Sequence, residues 1–342
     1  MTLLPLSPLA LQTTGHINCL EAVTADFGRG EEWKYSDIRA ALAGLTGLTS
    51  EKSLTPWKIL HAPFGAAHTE QSASPHASGI LIDQNPERLK ITVPAQQSGH
   101  VQLALLASPH SYLPGHVVIE VGEGASLTIF EYQAAHERNQ QENQAKNAAY
   151  WKNMRMEIDL APRASLNLDR QMADEAGSVS LCDTHIRMGQ AAELYFTLTN
   201  TGRGFLRHQM SVDLLGPHSI ADLAGINLLD RKSHGDVTVK INHMAPHCRS
   251  SQYFKTILRD QARGVYQGKI HVHQNAQKTD GYQLSNHLLL SPLAEMDVKP
   301  ELEIYADDVK CSHGTTTGEL DETPIFYMKS RGIDEMSARQ LL

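Results

Sequence analysis

A spaced repeat of short β-type segments is the feature that most constrains the fold of this chain. Four segments share a small–polar–leucine core, and their leucines are Leu127, Leu166, Leu194 and Leu223. The offsets between these leucines are 39, 28 and 29 residues. Each segment is too short to bury its own apolar face, so successive segments form a continuous core only by stacking on each other. The spacing predicts a mainly β fold of the β-solenoid class.

The strand-like texture begins near Ile80, where short apolar runs alternate with turn residues. It predicts a β-helix core over 76–320, a helical lead-in over 1–75 and the start of a helical region over 321–342. The polar stretch 137–147, with six Asn or Gln in eleven residues, is expected to loop out of the stack. A β-sandwich or barrel is the alternative architecture. One elongated solenoid accounts for the 342 residues better than two compact domains.

Both ends of the chain carry helix signals. Between Glu31 and Leu48 apolar residues recur three to five positions apart, and Asp37 can cap a helix there. The last strand-like run covers 301–305, after which a turn-rich stretch leads to Asp334, a potential cap for a helix beginning at Glu335. That helix is too short to be stable alone. We therefore expect the natural protein to continue.

Composition excludes several classes of function. The net charge of −8 argues against a general nucleic-acid surface, which needs a basic field. Four cysteines without a CxxC pair fit a reducing compartment. The first twenty residues lack the basic start of a signal peptide and contain two prolines, and no segment has the features of a bilayer span. We expect a cytoplasmic protein that binds neither nucleic acid nor membrane.

Motifs for nucleotide hydrolysis and nucleophilic catalysis are absent from the sequence. It contains no GxxxxGK[ST], no GxGxxG after a strand, no GxSxG and no HExxH. The chain is therefore not expected to be an enzyme. A β-helix enzyme acting on polysaccharide is an alternative, but only 6% of the residues are aromatic and no export signal is evident.

Histidine and cysteine pairs give three candidate metal sites. His271 and His273 share one face if they lie on a strand. The same holds for Cys311 and His313, where Lys310 would favour the thiolate that zinc or iron prefers. The third group comprises His234, His243, His247 and Cys248. None of the three is a closed site from sequence alone, and ordinary packing or surface roles explain each group as well.

One long block resembles a known family. Residues 299–314, KPELEIYADDVKCSHG, together with Phe326-Tyr327 and 330–333, resemble the signature of the SufD family, subunits of the SUF iron–sulfur cluster assembly machinery. Residues 268–270, 276–280, 286–291 and Gln283 resemble the core of the same family, and 31–35 its N-terminal region. The Cys–Ser–His arrangement distinguishes the block from the paralogous SufB family. The alternative of a SufB-like subunit that itself carries the nascent cluster is thereby disfavoured.

The resemblance implies a right-handed parallel β-helix with helical ends, acting as a non-catalytic scaffold. It implies pairing with SufB through the β-helix, docking of the SufC ATPase through the C-terminal region, and a contribution to iron entry. Cys311 and His313 would then lie at the SufB interface, with His313 binding iron or a nascent cluster transiently and no cofactor held stably by this chain alone. Cys311 is either a second ligand or a structural or redox-sensitive thiol at the interface.

Two departures from the family pattern bear on these expectations. The segment after the histidine reads Gly314-Thr-Thr-Thr-Gly318, where the family usually has Gly-Ala-Thr-Val-Gly. The chain also stops nine residues after Ile333, where the family normally continues, which bears on SufC docking. The exposed terminal coil further predicts that the isolated protein pairs with a second copy of itself.

Overall fold

The computed structural model describes residues 16–17, 31–45, 48–50, 57–60, 80–85, 88–135 and 149–342. The predicted loop 137–147 and much of the predicted lead-in 1–75 lie outside the described residues. The first described strands are β1 His16–Ile17, β2 Leu48–Ser50, β3 Lys58–Leu60, β4 Leu81–Asn85, β5 Arg88–Val93, β6 Ser98–Ala107, β7 Ser111–Val121 and β8 Ser126–Ala135. Then follow β9 Trp151–Leu160, β10 Ser165–Ala173, β11 Val179–Met188, β12 Glu193–Asn200, β13 Phe205–Leu214, β14 Ile220–Leu229, β15 His234–His243, β16 Arg249–Leu258, β17 Arg263–Val272, β18 Asp280–Leu289, β19 Glu295–Ile304 and β20 Lys310–Glu319.

The strands form two long sheets that the chain visits alternately. One has the order β20-β18-β16-β14-β12-β10-β8-β6-β3, and the other runs through β7-β9-β11-β13-β15-β17-β19. From β6 onward each strand pairs in parallel with the strand two positions later in the chain. Two strands therefore make one coil, and the prediction of a β-solenoid is confirmed, with about eight turns. Antiparallel pairs occur at the N-terminal side, in β1–β2, β3–β6 and β4–β5.

The register confirms most of the leucine repeat and corrects its last member. Leu127, Leu166 and Leu194 stack directly on each other. The next residue in this row is Ala221, and Leu223 instead stacks two positions further along, on Phe196. Both positions face inward because the shift is two residues. The sequence repeat thus has the right face but the wrong register in its fourth segment.

The interior is mostly apolar, as alternation of buried and exposed residues along the strands requires. It also contains a buried polar cluster, here called the central charge network: Glu131, Lys152, Arg170, Asp174 and His208, each at most 6% exposed. Arg170 bonds Glu131 at 2.9 Å, and Lys152 bonds Asp174 at 2.6 Å. Two positive and two negative side chains therefore compensate each other in the middle of the solenoid.

The helices at the two ends are short. Helix α1 covers Ile38–Ala43 and is capped by Asp37, so the predicted cap is confirmed but the helix is shorter than Glu31–Leu48. Near this helix, the Trp33 ring stacks on the Arg207 guanidinium, with 4.0 Å between the ring centroid and the guanidinium carbon. This contact connects the N-terminal segment to the sheet that contains Arg207. Helices α2 Glu322–Ser330 and α3 Glu335–Leu341 end the chain, and Asp334 caps α3 as predicted. No helix among the described residues is both long and apolar enough to cross a bilayer.

Candidate functional site

The Cys311–His313 segment lies on β20, at one end of the solenoid. The sequence prediction that the last strand-like run is 301–305 is wrong, because β20 follows it at 310–319. Among the described strands β20 pairs only with β18, opposing Cys311 to Gly281 and His313 to Gln283. β19 occupies the corresponding end of the other sheet. Together β19 and β20 form the terminal coil.

Cys311 and His313 lie on the same face of β20, as their spacing predicted, and this face is the inner one of the terminal coil. Two residues further along the same face, Thr315 accepts a hydrogen bond of 3.1 Å from the buried Ser285 hydroxyl. This contact places the odd-numbered residues of β20 on the inward side. His313 is nevertheless exposed and Cys311 half-buried, because in the described residues no further coil covers them.

The Cys311 thiol is protonated at neutral pH. Burial raises its pKa, a hydrogen bond with the Gly281 backbone opposes that shift, and the nearby Asp280 carboxylate raises the pKa further. The prediction that Lys310 favours the thiolate is wrong, because alternation along the strand directs Lys310 to the opposite face. Use of Cys311 as a thiolate ligand therefore requires that a metal displace its proton.

Cys311 and His313 provide two potential ligands, fewer than a closed metal site needs. In the parts of the chain that the structure describes, no group of three or more His, Cys, Asp and Glu side chains is arranged to hold a metal ion. Their position on an open coil leaves the remaining ligand positions to a second molecule. The geometry is thus that of half a site.

His271 lies on the outer face of β17 and His273 directly follows the end of that strand, with the two ring centroids 4.4 Å apart. The Glu303 carboxylate approaches this pair, with its Oε2 4.0 Å from His271 Nε2. Glu303 already accepts a 2.6 Å bond from Lys269. Burial, and next the neighbouring His273, lower the pKa of His271. The two histidines therefore lie beside the surface ion pair between Lys269 and Glu303.

The third candidate group is explained by packing. His243 is fully buried and hydrogen-bonds the Ser250 hydroxyl at 2.8 Å, and burial lowers its pKa to about 4. Burial likewise lowers the pKa of His234 to about 4. His247 is exposed and stacks on His218 at 4.9 Å, while the buried Cys248 thiol donates to the Gly216 carbonyl. The four side chains serve separate local roles.

The inner face of the terminal coil is apolar on one side and polar on the other. Met296, Val298 and Leu302 of β19 are half-buried and pack against the apolar core next to the open end. β20 contributes cysteine, histidine and threonine side chains opposite them. Unpaired strand edges flanked by half-buried apolar side chains are a typical surface for pairing with another chain.

Sequence reasoning missed the polar side chains behind this site. Gln252, Gln283 and His313 are in register on three neighbouring strands and all face inward. The sequence singles out Gln283 only through the family resemblance, which assigns it no structural role. Polar residues do alternate along β16 and β18 in the sequence. Whether they point into the solenoid or toward the solvent can be decided only when the strand register is known.

A family model described as "SUF system FeS cluster assembly, SufBD core domain" matches residues 105–342. Among curated proteins, the iron–sulfur cluster assembly protein SufD of Escherichia coli is 34% identical over 224 residues, covering 66% of this chain and 51% of that protein. A SufBD family protein of Synechocystis is 32% identical over 228 residues, covering 66% of this chain and 50% of the relative.

The chloroplastic protein ABCI7 of Arabidopsis thaliana is 33% identical over 194 residues, covering 56% of this chain and 41% of that protein. This chain therefore spans about half the length, or less, of these relatives. The match to the family model covers the strands from β7 to β20, which include the terminal coil, and both C-terminal helices. The chain belongs to the SufBD core family of the SUF iron–sulfur cluster assembly system, and within it is SufD-like.

Proposed function

We propose that this chain is a non-catalytic scaffold subunit that pairs with a SufB homologue in iron–sulfur cluster assembly. The observation that carries the proposal is the inward-facing Cys311–His313 pair on an uncovered terminal coil. A second β-helix docked end to end would bury the half-exposed apolar side chains of β19 and supply the missing ligands. Iron or a nascent cluster binds transiently at Cys311 and His313 as a substrate of assembly, and the chain alone retains no cofactor.

The C-terminal helices support a second contact, with the SufC ATPase. Phe326, Tyr327 and Met336 are 74%, 63% and 71% exposed. Several large apolar side chains exposed on neighbouring helices are typical of a protein-binding surface. The proposed location is the cytoplasm, where Cys182, Cys248 and Cys311 remain free thiols. Without SufB, the same terminal coil pairs with a second copy of the chain.

The test is cluster delivery by the reconstituted assembly of this chain with its SufB and SufC partners. His313→Ala is expected to abolish transfer of a cluster to an apo-ferredoxin, and Cys311→Ser to reduce it. His271→Ala, on the outer face of the neighbouring coil, is the matched control and is expected to retain wild-type transfer.

Wild-type transfer by the His313 variant would refute the site. Anaerobic reconstitution of the isolated chain with iron and sulfide tests the alternative role. A stoichiometric cluster stable on this chain alone would assign it the SufB-like function instead.

A further inference from the structure

The row of inward-facing residues that ends at His313 changes from apolar to polar toward the open end of the solenoid. In register, its residues are Phe196, Leu223, Gln252, Gln283 and His313. The first two are apolar, as expected inside a solenoid. The two glutamines are 1% and 2% exposed, so they are as buried as the apolar residues that precede them. Two buried amides directly behind the proposed iron ligand His313 need an explanation beyond packing.

These amides have unused hydrogen-bonding capacity. Oε1 and Nε2 of Gln283 and Nε2 of Gln252 are buried and have no hydrogen-bond partner among the described residues. Only Gln252 Oε1 is occupied, by the Tyr266 hydroxyl at 3.1 Å. Each unsatisfied buried polar group costs roughly 1–3 kcal/mol. Three such atoms in one place lower the free energy of unfolding, and a water molecule or another polar molecule bound beside them would recover that loss.

The position of the Gln283 amide depends on a glycine in the opposite sheet. A Cβ atom at Gly268 would lie 2.5 Å from the Gln283 amide carbon, so the absence of a side chain at 268 lets the amide reach across the interior. His313 lies one strand further out in the same row. Neighbouring strands are about 4.8 Å apart, a separation that one bridging water molecule spans.

Building on the proposed function, we propose that the Gln283 amide, backed by Gln252, forms a hydration pocket behind His313 that binds a water ligand of a divalent iron ion coordinated by this histidine. The amides are neutral and offer both donors and acceptors, which suits coordinated water better than a bare cation or a free anion. His313 replaces one water of the ion, and the pocket holds another by hydrogen bonds. The iron therefore remains partly hydrated and exchangeable.

The experiment measures Co²⁺ binding, followed by its visible absorption, in the purified complex of the full chain with its SufB partner. Gln283→Met keeps the side-chain length and removes the amide. Its affinity for Co²⁺ is expected to fall about tenfold or more, the usual effect of removing a group that supports a metal ligand. Its thermal midpoint is expected to stay level or rise, because two unsatisfied buried atoms are gone.

His287→Leu is the matched control. His287 lies on the same strand and face, is 4% exposed, and has no partner for either ring nitrogen among the described residues. The variant is expected to bind Co²⁺ within twofold of the wild type. Gly268→Ala provides a second test, because it displaces the Gln283 amide without removing it, and it is expected to weaken Co²⁺ binding severalfold.

The outcomes separate this inference from the function on which it rests. Wild-type Co²⁺ affinity in His313→Ala, or no Co²⁺ binding by the wild-type complex, overturns both. Loss of binding in His313→Ala with wild-type affinity in both Gln283→Met and Gly268→Ala overturns the hydration pocket alone. A structure of the Co²⁺-loaded complex is expected to show water between the metal and the Gln283 amide, and a metal with no water on that side would refute the pocket.

Discussion

Removal of Arg170 tests whether the central charge network stabilises the solenoid. The guanidinium is 2% exposed and donates to Glu131 at 2.9 Å and to Thr184 at 3.0 Å. It also lies 2.7 Å from His208 Nε2, and the pKa of His208 is strongly lowered, first by burial and then by the Arg170 charge. His208 is therefore neutral and accepts this bond.

Arg170→Met leaves the Glu131 carboxylate buried without its cation. Breaking a buried pair by removing one partner costs about 3–5 kcal/mol, which we expect for the free energy of unfolding here. The control is Arg187→Met, which breaks a surface pair with Asp159 at 2.6 Å. Exposed pairs contribute about 1 kcal/mol or less, so this variant is expected to stay close to the wild type.

The assay is urea unfolding followed by circular dichroism and tryptophan fluorescence, extended to a double-mutant cycle. Arg170→Met combined with Glu131→Gln removes both charges and is expected to recover most of the lost stability. The reasoning is refuted if the two arginine variants lose equal stability, or if the double variant is as unstable as the sum of the single changes.

Three further predictions concern pH, close packing and a helix cap. Burial lowers the pKa of His243 from 6.5 to about 4, so the unfolded chain binds a proton that the folded chain excludes. Stability should therefore fall as the pH drops from about 6.5 to 4, and His243→Gln should flatten this decline in the thermal midpoint, whereas an unchanged slope would contradict it. A Cβ at Gly216 would lie 2.1 Å from the Gln190 backbone nitrogen, while one at Gly318 would meet no atom within 4 Å. Gly216→Ala should cost about 1–3 kcal/mol and Gly318→Ala almost nothing, and similar midpoints for the two would disprove the packing argument. Asp334→Ala removes the cap that accepts the Ser337 N–H at 3.0 Å, so amide exchange in α3 should accelerate and Asp334→Asn should restore it.

The repeat of leucines predicted the solenoid because equivalent inward positions of stacked coils recur at a nearly constant spacing, here 28 and 29 residues after the first, longer offset. The same signal failed at β20, whose sequence KCSHGTTTGE has no apolar alternation. Its inward face borders the open end, so no apolar core selects its residues. The register of the fourth repeat failed for a related reason: Ala221 and Leu223 both face inward, and spacing alone cannot choose between them.

Spacing and family resemblance pointed to the residues of the candidate site but not to their surroundings. Cys311 and His313 were identified by spacing and resemblance, and the structure places them together on the inner face. The raised pKa of the Cys311 thiol depends on burial by the neighbouring strand, which no local pattern reveals. The pairing of Gln283 with Gly268 joins opposite sheets and is equally invisible in the sequence.

The central charge network also has a mechanical consequence. Arg170 belongs to one sheet, while Thr184 and His208 belong to the other. The network therefore connects the two sheets by hydrogen bonds across the interior of the solenoid. No charged pair of this kind crosses the interior among the described residues from β14 to β20. A force applied at the terminal coil or through α2 and α3 is therefore expected to strain these last coils first. The middle coils, joined by this network, are expected to deform less under such a force than the coils that carry Cys311 and His313.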